Sequence, residues 1–108
     1  MLVLLPEASP RGIRPELVLG LVIANQVFSI HGGVDCVVTH LTDGAHMVGS
    51  QHYVGMAADL RSHHVPELKL GVLFAELQKA LPPHYTVLWE DRDSPNAHFH
   101  LHYRYPGT

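Results

Sequence analysis

The stretch His98-Phe99-His100-Leu101-His102-Tyr103 alternates imidazoles with apolar or aromatic side chains. Successive side chains of a β-strand point to opposite faces of a sheet, so the stretch predicts a strand, here from His98 to Tyr105, with two unlike faces. Phe99, Leu101 and Tyr103 would pack on the core, and the three histidines would line the other face. Histidines two positions apart would then lie roughly 6.5–7 Å from one another.

Further strands are predicted on both sides of two helical segments. Tyr85 to Glu90 precedes the histidine stretch and is joined to it by the polar loop Asp91 to Ala97. Cys36 to Leu41 and Met56 to Arg61 are rich in β-branched or small apolar residues, which favours strands. Residues 1–5 predict an edge strand.

The two helices are recognised by apolar residues at helical spacing. The first is predicted from Pro15 to about Ser29, where His31-Gly32-Gly33 ends it, and the second begins at Pro66 and ends before Pro82-Pro83. The buried side of the first helix is predicted to comprise Leu17, Leu21, Ala24 and Phe28, widened by Leu19, Val22 and Ile23.

This order of elements predicts one α+β domain over residues 1–108, with a small antiparallel β-sheet and two main helices. The apolar fraction is 46% and the charged fraction 16%, which is typical of a globular chain rather than a disordered one. The single cysteine, Cys36, excludes an intramolecular disulfide and a thiolate zinc finger, and its apolar surroundings predict a buried structural thiol.

Charge and hydropathy limit the expected partners. The net charge of −3 provides no basic field for nucleic acid. No run approaches the roughly 18–20 apolar residues of a membrane span, so no membrane partner is expected. Met1 to Leu5 lacks a basic preceding region and is interrupted by Pro6-Glu7, which predicts cytoplasmic synthesis without a signal peptide.

A second informative run, Ser50-Gln51-His52-Tyr53-Val54-Gly55-Met56-Ala57-Ala58-Asp59, places a histidine and an aspartate seven positions apart. A catalytic zinc ion needs three protein ligands and one open position for water. His52, in a predicted loop, and Asp59, on the following strand, would provide two ligands, and the histidine strand would provide the third. The sequence therefore predicts one Zn²⁺ ion.

The pattern Ser50-x-His52-x-x-Gly55-x-Ala57-x-Asp59, followed by a distal His-x-His pair, resembles that of the zinc D-alanyl-D-alanine carboxypeptidases. That wider group includes phage endolysins, lysostaphin-type endopeptidases and the hedgehog signalling domain. The match spans roughly residues 35–105 and implies a hedgehog/D,D-peptidase-like zinc fold.

The resemblance also implies roles for particular residues. His52, Asp59 and His100 match the zinc ligands, His98 matches the histidine beside the metal-bound water, and His46 matches a further active-site histidine of the hedgehog-like branch. Ser50 matches a serine that helps to hold substrate.

Two positions leave alternatives open. Family peptidases often carry the catalytic carboxylate three residues before the last ligand, where this chain has Ala97. Glu90 is the preferred substitute and Asp93 the second choice, because a base must reach the metal-bound water. His100-Leu101-His102 is also a His-x-His pair and would make His102 the third ligand.

The resemblance implies a zinc metallopeptidase that cleaves peptidoglycan stem peptides or cross-links, as a D,D-carboxypeptidase or an endopeptidase. Glu90 would transfer the proton of the water, and His98 and His46 would stabilise the oxyanion. A phage or prophage lytic enzyme, released to the host cell wall by another factor, is compatible with the sequence. The alternative is a hedgehog-like zinc-binding module without hydrolytic activity, for example in a virion. A third hypothesis is a structural protein that binds no metal and in which the histidines have no specific role.

Overall fold

The computed structural model describes residues 1–41 and 56–104. These residues form five strands and two helices, with a π-helical turn, Phe28–Gly32, continuing the first helix. In chain order they are β1 Leu2–Leu4, α1 Pro15–Val27, β2 Cys36–Leu41, β3 Ala57–Arg61, α2 Glu67–Ala80, β4 Tyr85–Glu90 and β5 His98–Tyr103. The α+β class and the predicted elements are confirmed.

The strands form one five-stranded sheet in the order β1-β2-β3-β5-β4. The pairs β2–β3, β3–β5 and β4–β5 are antiparallel, whereas β1 runs parallel to β2. The sheet is therefore mixed, and the prediction of a small antiparallel sheet is wrong for the β1–β2 pair. Parallel neighbours need a crossover connection, which α1 supplies between β1 and β2.

One side of α1 is buried as predicted, and Ile23 packs against the core beside it, but the predicted extension of that side to Leu19 and Val22 is wrong. Leu17 and Ala24 are fully buried, whereas Leu19 and Val22 are 52% and 53% exposed. At about 100° per residue, Leu19 and Val22 lie roughly 200° and 140° around the helix from Leu17. A helix that packs against one sheet buries a single stripe, so these two residues face away from it.

A glycine lets α1 approach the sheet closely. A Cβ atom on Gly20 would lie 2.8 Å from Cε1 of Tyr85 on β4, so no larger residue fits without displacing the ring. The Tyr85 hydroxyl donates a hydrogen bond to the backbone carbonyl of Glu16, at 2.6 Å. The short contact and the hydrogen bond together fix how α1 sits on the sheet.

The core lies between the two helices and one face of the sheet. Phe99 of β5 is fully buried at its centre, with its ring stacked on Phe74 and edge-on to Phe28 at centroid distances of 5.8 and 6.1 Å. Cys36 is also fully buried, and burial raises its pKa to about 12. The prediction of a buried thiol is confirmed.

Candidate metal centre on the histidine face

The two faces of β5 differ as the alternation predicts. Phe99 and Leu101 point into the core and are 0% and 1% exposed. His98, His100 and His102 point to the opposite face and are partly exposed. We call the side of the sheet that carries these three residues the histidine face.

Strand register arranges nine side chains of the histidine face in three rows across β3, β5 and β4. The rows are Ala57–His102–Thr86, Asp59–His100–Leu88 and Arg61–His98–Glu90. Side chains directly opposite one another in an antiparallel pair have Cβ atoms about 4.5–5.5 Å apart, so each row is a set of neighbours. Acidic and imidazole groups are thereby concentrated in the second and third rows.

Asp59 and His100 are in direct contact across the β3–β5 pair. Nδ1 of His100 lies 2.8 Å from Oδ1 of Asp59, and Nε2 of His98 lies 3.7 Å from the same oxygen. Burial raises the pKa of Asp59, but the His100 hydrogen bond and the adjacent imidazoles outweigh it and the net pKa is lowered. The hydrogen bond to Asp59 raises the pKa of His100 above its usual value.

His98 is held between a backbone carbonyl and a carboxylate. Its Nδ1 donates to the carbonyl of Asn96 at 2.7 Å, and its Nε2 lies 3.0 Å from Oε1 of Glu90. Burial lowers the pKa of His98, but the Asn96 hydrogen bond and the two nearby carboxylates outweigh it, so the net pKa is raised. Since Nδ1 is engaged, Nε2 is the ring atom that faces the acidic groups.

Three described residues offer ligand atoms within 4.8 Å of one another: Asp59, Glu90 and His98. Ligand atoms about 2.0–2.1 Å from a tetrahedral zinc ion lie roughly 3.4 Å apart, close to the 3.0 and 3.7 Å contacts around His98. Carboxylate oxygen and imidazole nitrogen are also donors that zinc accepts. The site therefore fits a single metal ion. His100 contacts Asp59 but is not one of these three.

The two candidate bases, Glu90 and Asp93, lie in different parts of the structure, and the two candidate third ligands, His100 and His102, lie in different rows. Glu90 lies directly opposite His98 in the β4–β5 pair, whereas Asp93 is exposed in the connecting loop and lines a different cleft. His102 lies one row away, opposite Ala57, and its ring centroid is 5.4 Å from that of His100. Burial and the neighbouring His100 lower the pKa of His102. Glu90, the preferred base, contacts His98, and His100, the preferred third ligand, contacts Asp59.

The remaining assigned residues, His46, Ser50 and His52, lie outside the described residues. The described chain stops at Leu41 and resumes at Met56. Leu41 pairs with Ala58, so both ends of the interval reach the same end of the sheet, beside the row of Ala57 and His102.

A cleft of about 300 Å³ borders Asp59 and His98 and contains three basic side chains that the sequence analysis did not assign: His40, Arg61 and His63. Period-2 alternation from Asp59 would have placed Arg61 on the histidine face. His40 is opposite Asp59 because the β2–β3 register shifts between Val38 and His40, and such a bulge has no signal in this sequence.

Comparison with known proteins adds no relative. No family model, curated protein or solved structure matches this chain. Among the described residues, no helix is both long enough and apolar enough to cross a bilayer. A functional assignment must therefore be argued from the residues of the histidine face and from the sequence resemblance.

Proposed function

We propose that the protein is a zinc-dependent metallopeptidase that hydrolyses peptide bonds of peptidoglycan stem peptides or cross-links. The observation that supports this most directly is the meeting of Asp59, Glu90 and His98 from three strands within 4.8 Å. Two carboxylates of unlike environment beside imidazoles are what metal-assisted hydrolysis needs, namely a ligand set and a separate base. The sequence resemblance supplies the substrate class.

In this proposal, His52, Asp59 and His100 hold the ion. Zinc at such a site polarises a scissile carbonyl and activates water near neutral pH. The lowered pKa of Asp59 keeps its carboxylate charged and available as a ligand. Its hydrogen bond with His100 makes those two assigned ligands direct neighbours.

Glu90 is the proposed general base. It is 43% exposed, so water and substrate can reach it, and it lies at the end of β4 opposite His98. A carboxylate in this position can take a proton from the attacking water and deliver it to the leaving amine.

His98 acts beside Glu90 as a positioning and charge-stabilising group. The carbonyl of Asn96 fixes its ring, and its Nε2 faces both carboxylates. A cationic imidazole here would stabilise the negative oxygen that develops during attack on the carbonyl. His46 would assist in that role and Ser50 would hold substrate, as the resemblance implies.

The proposal is tested by metal analysis combined with hydrolysis assays. Purified wild-type protein, loaded with zinc, is mixed with cell walls and with acetyl-L-Lys-D-Ala-D-Ala, and turbidity and released D-alanine or new amines are measured. We expect hydrolysis by the wild type, loss of zinc in His100→Ala, and retained zinc with at least ~100-fold lower kcat in Glu90→Gln. Glu7→Gln, an exposed acid before α1, is the matched control. Zinc binding without cleavage of any wall preparation or peptide would refute the peptidase.

One observation favours a second candidate, a zinc-binding module without hydrolytic activity. Glu90 and His98 are themselves close enough to Asp59 to serve as ligands, and a coordinated Glu90 would leave no carboxylate base. Glu90→Gln separates the two cases, because it abolishes zinc binding if Glu90 is a ligand and preserves it if Glu90 is the base. A lytic enzyme is expected to act at the host cell wall, whereas a binding module is compatible with a virion.

A further inference from the structure

A second cleft lies beside the metal centre but not on the histidine face. It has a volume of about 420 Å³ and is formed between α2 and the β4–β5 hairpin. We call it the hairpin cleft. It shares His63 and Ala97 with the cleft that borders Asp59 and His98, so the two clefts adjoin. A peptide lying over the metal centre can therefore place a neighbouring side chain in the hairpin cleft.

The lining of the hairpin cleft separates into an apolar part and a polar part. The buried and partly buried hydrophobic members are Val65, Leu70 and Trp89, and the exposed members include Glu67 and Asp93. Ligand pockets commonly have volumes of about 300–1,000 Å³ and combine apolar walls with a few convergent polar groups. The hairpin cleft has both properties.

Two carboxylates and one guanidinium are the strongly charged groups in the polar part of the hairpin cleft. Glu67 and Asp93 contribute carboxylates. His63 donates Nε2–H to the carbonyl of Pro95 at 2.6 Å, so this ring nitrogen is already engaged. Arg92, the guanidinium of the lining, lies 3.8 Å above the ring of Trp89, so the two carboxylates exceed it by one negative charge. An apolar interior with an acidic rim is complementary to a flexible aliphatic chain that ends in an ammonium group.

We propose that the hairpin cleft binds a lysine-type side chain of the substrate peptide, with its methylene groups against Trp89 and Leu70 and its ammonium group near Glu67 and Asp93. This inference rests on the proposed peptidase function and deepens it. It makes the diamino acid of a stem peptide a specificity determinant for cleavage of the adjoining bond. A neutral aliphatic side chain would fill the apolar part of the cleft but would form no ion pair with Glu67 or Asp93.

The structure offers two variants that alter the hairpin cleft without touching the metal centre. A Cβ at Gly71 meets nothing within 4 Å, and replacing a helical glycine removes a destabilising residue, so Gly71→Leu fills the cleft from α2 while the fold is retained. Glu67→Gln removes one rim charge without a change of size. Gly71→Ala and Glu76→Gln, the latter outside the cleft on the same helix, are the matched controls.

Hydrolysis is compared for peptides that differ only in the side chain before the two D-alanines: lysine, norleucine, Nε-acetyl-lysine and alanine. For the wild type we expect kcat/KM for lysine to exceed that for norleucine by at least about tenfold. Glu67→Gln should reduce that ratio to about threefold or less. Gly71→Leu should lower kcat/KM for the lysine and norleucine peptides to the value for the alanine peptide. A wild-type ratio near one in an active enzyme overturns the inference and leaves the peptidase intact.

Equilibrium binding distinguishes the two proposals if no hydrolysis is found. Trp89 is the only tryptophan of the chain, so its fluorescence reports directly on the hairpin cleft. Nα-acetyl-L-lysine methylamide should change this fluorescence in wild-type protein and in Gly71→Ala, with at least about fivefold weaker binding in Glu67→Gln and none in Gly71→Leu. Equal binding of the norleucine probe, or unchanged binding in Gly71→Leu, contradicts the inference whatever the catalytic result.

Discussion

The two faces of β5 have opposite physical properties although their residues alternate in one six-residue strand. The core face presents Phe99 and Leu101, which are almost completely removed from solvent. The histidine face presents His98 and His100, whose side chains are 22% and 25% exposed and contact carboxylates. One face therefore contributes stability through buried apolar area, and the other contributes little stability and carries the ionisable groups. Changes on the two faces should have separable effects.

The largest effect is expected on the core face. Phe99→Ala should lower the free energy of unfolding by about 3–5 kcal/mol, because it leaves a cavity between Phe28, Phe74 and Trp89. Chemical denaturation measures this. Leu88→Ala, which removes a 44% exposed side chain from the histidine face, should cost less than about 1 kcal/mol. Similar losses in the two variants would remove the distinction between the faces.

A substitution on the histidine face should act on metal binding instead. Asp59→Asn keeps the size of the side chain but removes a charged ligand, so zinc affinity should fall at least ~100-fold, equivalent to about 2.7 kcal/mol. Competition with a chelating dye measures the affinity. The metal-free variant should unfold within about 1 kcal/mol of metal-free wild type at pH 7. Unchanged zinc affinity in Asp59→Asn would mean that Asp59 is not a ligand of the ion.

The contact between α1 and the sheet gives a smaller expected effect on the core face. Gly20→Ala should destabilise the fold by about 1–2 kcal/mol, because the added methyl group meets a Tyr85 ring held by its hydrogen bond to Glu16. This loss exceeds the helix-propensity gain of about 0.5–1 kcal/mol. Gly71→Ala, with open space around its new methyl group, should be stabilising in the same thermal unfolding assay. A stabilised Gly20→Ala would mean that α1 is not seated closely.

The smallest expected effect is a pH dependence of the metal-free protein. The raised pKa of His100 contributes stability that is complete below about pH 6.5 and is lost as pH rises through the raised value. The lowered pKa of Asp59 contributes stability that is present above about pH 4 and is lost as pH falls through the lowered value.

The contribution of His100 to the unfolding free energy should therefore be about 1 kcal/mol lower at pH 8.5 than at pH 5.5. The raised pKa of His98 acts in the same direction, and the lowered pKa of His102 opposes it, so the contribution of His100 is the difference between the wild type and His100→Gln. Urea denaturation of the zinc-free protein at the two pH values tests this. His100→Gln should have a shallower dependence, since it lacks the titrating partner of Asp59. Parallel curves for the wild type and the variant would exclude the pair as the cause.

Local sequence pattern accounts for much of the fold. Alternation over His98–Tyr103 and helical spacing over Leu17 to Phe28 each identify an element and its buried side. The features that the local pattern did not predict depend on contacts between elements that are distant in the chain. The parallel pairing of β1 with β2 follows from where α1 places the next strand, and the exposure of Leu19 depends on how many elements pack on that helix.

The candidate site is predicted in part for the same reason. Asp59, His98 and His100 follow from motif and alternation, and Glu90 follows from its position at the end of a strand. Their mutual distances depend on the β3–β5 and β4–β5 registers, which a single strand's pattern does not specify. His40 enters the site through a register shift, and the hairpin cleft arises where α2 meets a loop.

By itself, the sequence determined which side chains of β5 face the core and which residues form the centre of the buried side of α1, because burial follows periods of 2 and 3.6 that can be recognised locally in the chain. It also determined the kind of chemistry available, because His and Asp residues are concentrated on one face of two strands. Only the tertiary structure decided that Asp59, Glu90 and His98 meet, and that a cleft with an acidic rim adjoins them. Those outcomes depend on strand order and register, which are set by the packing of the whole chain.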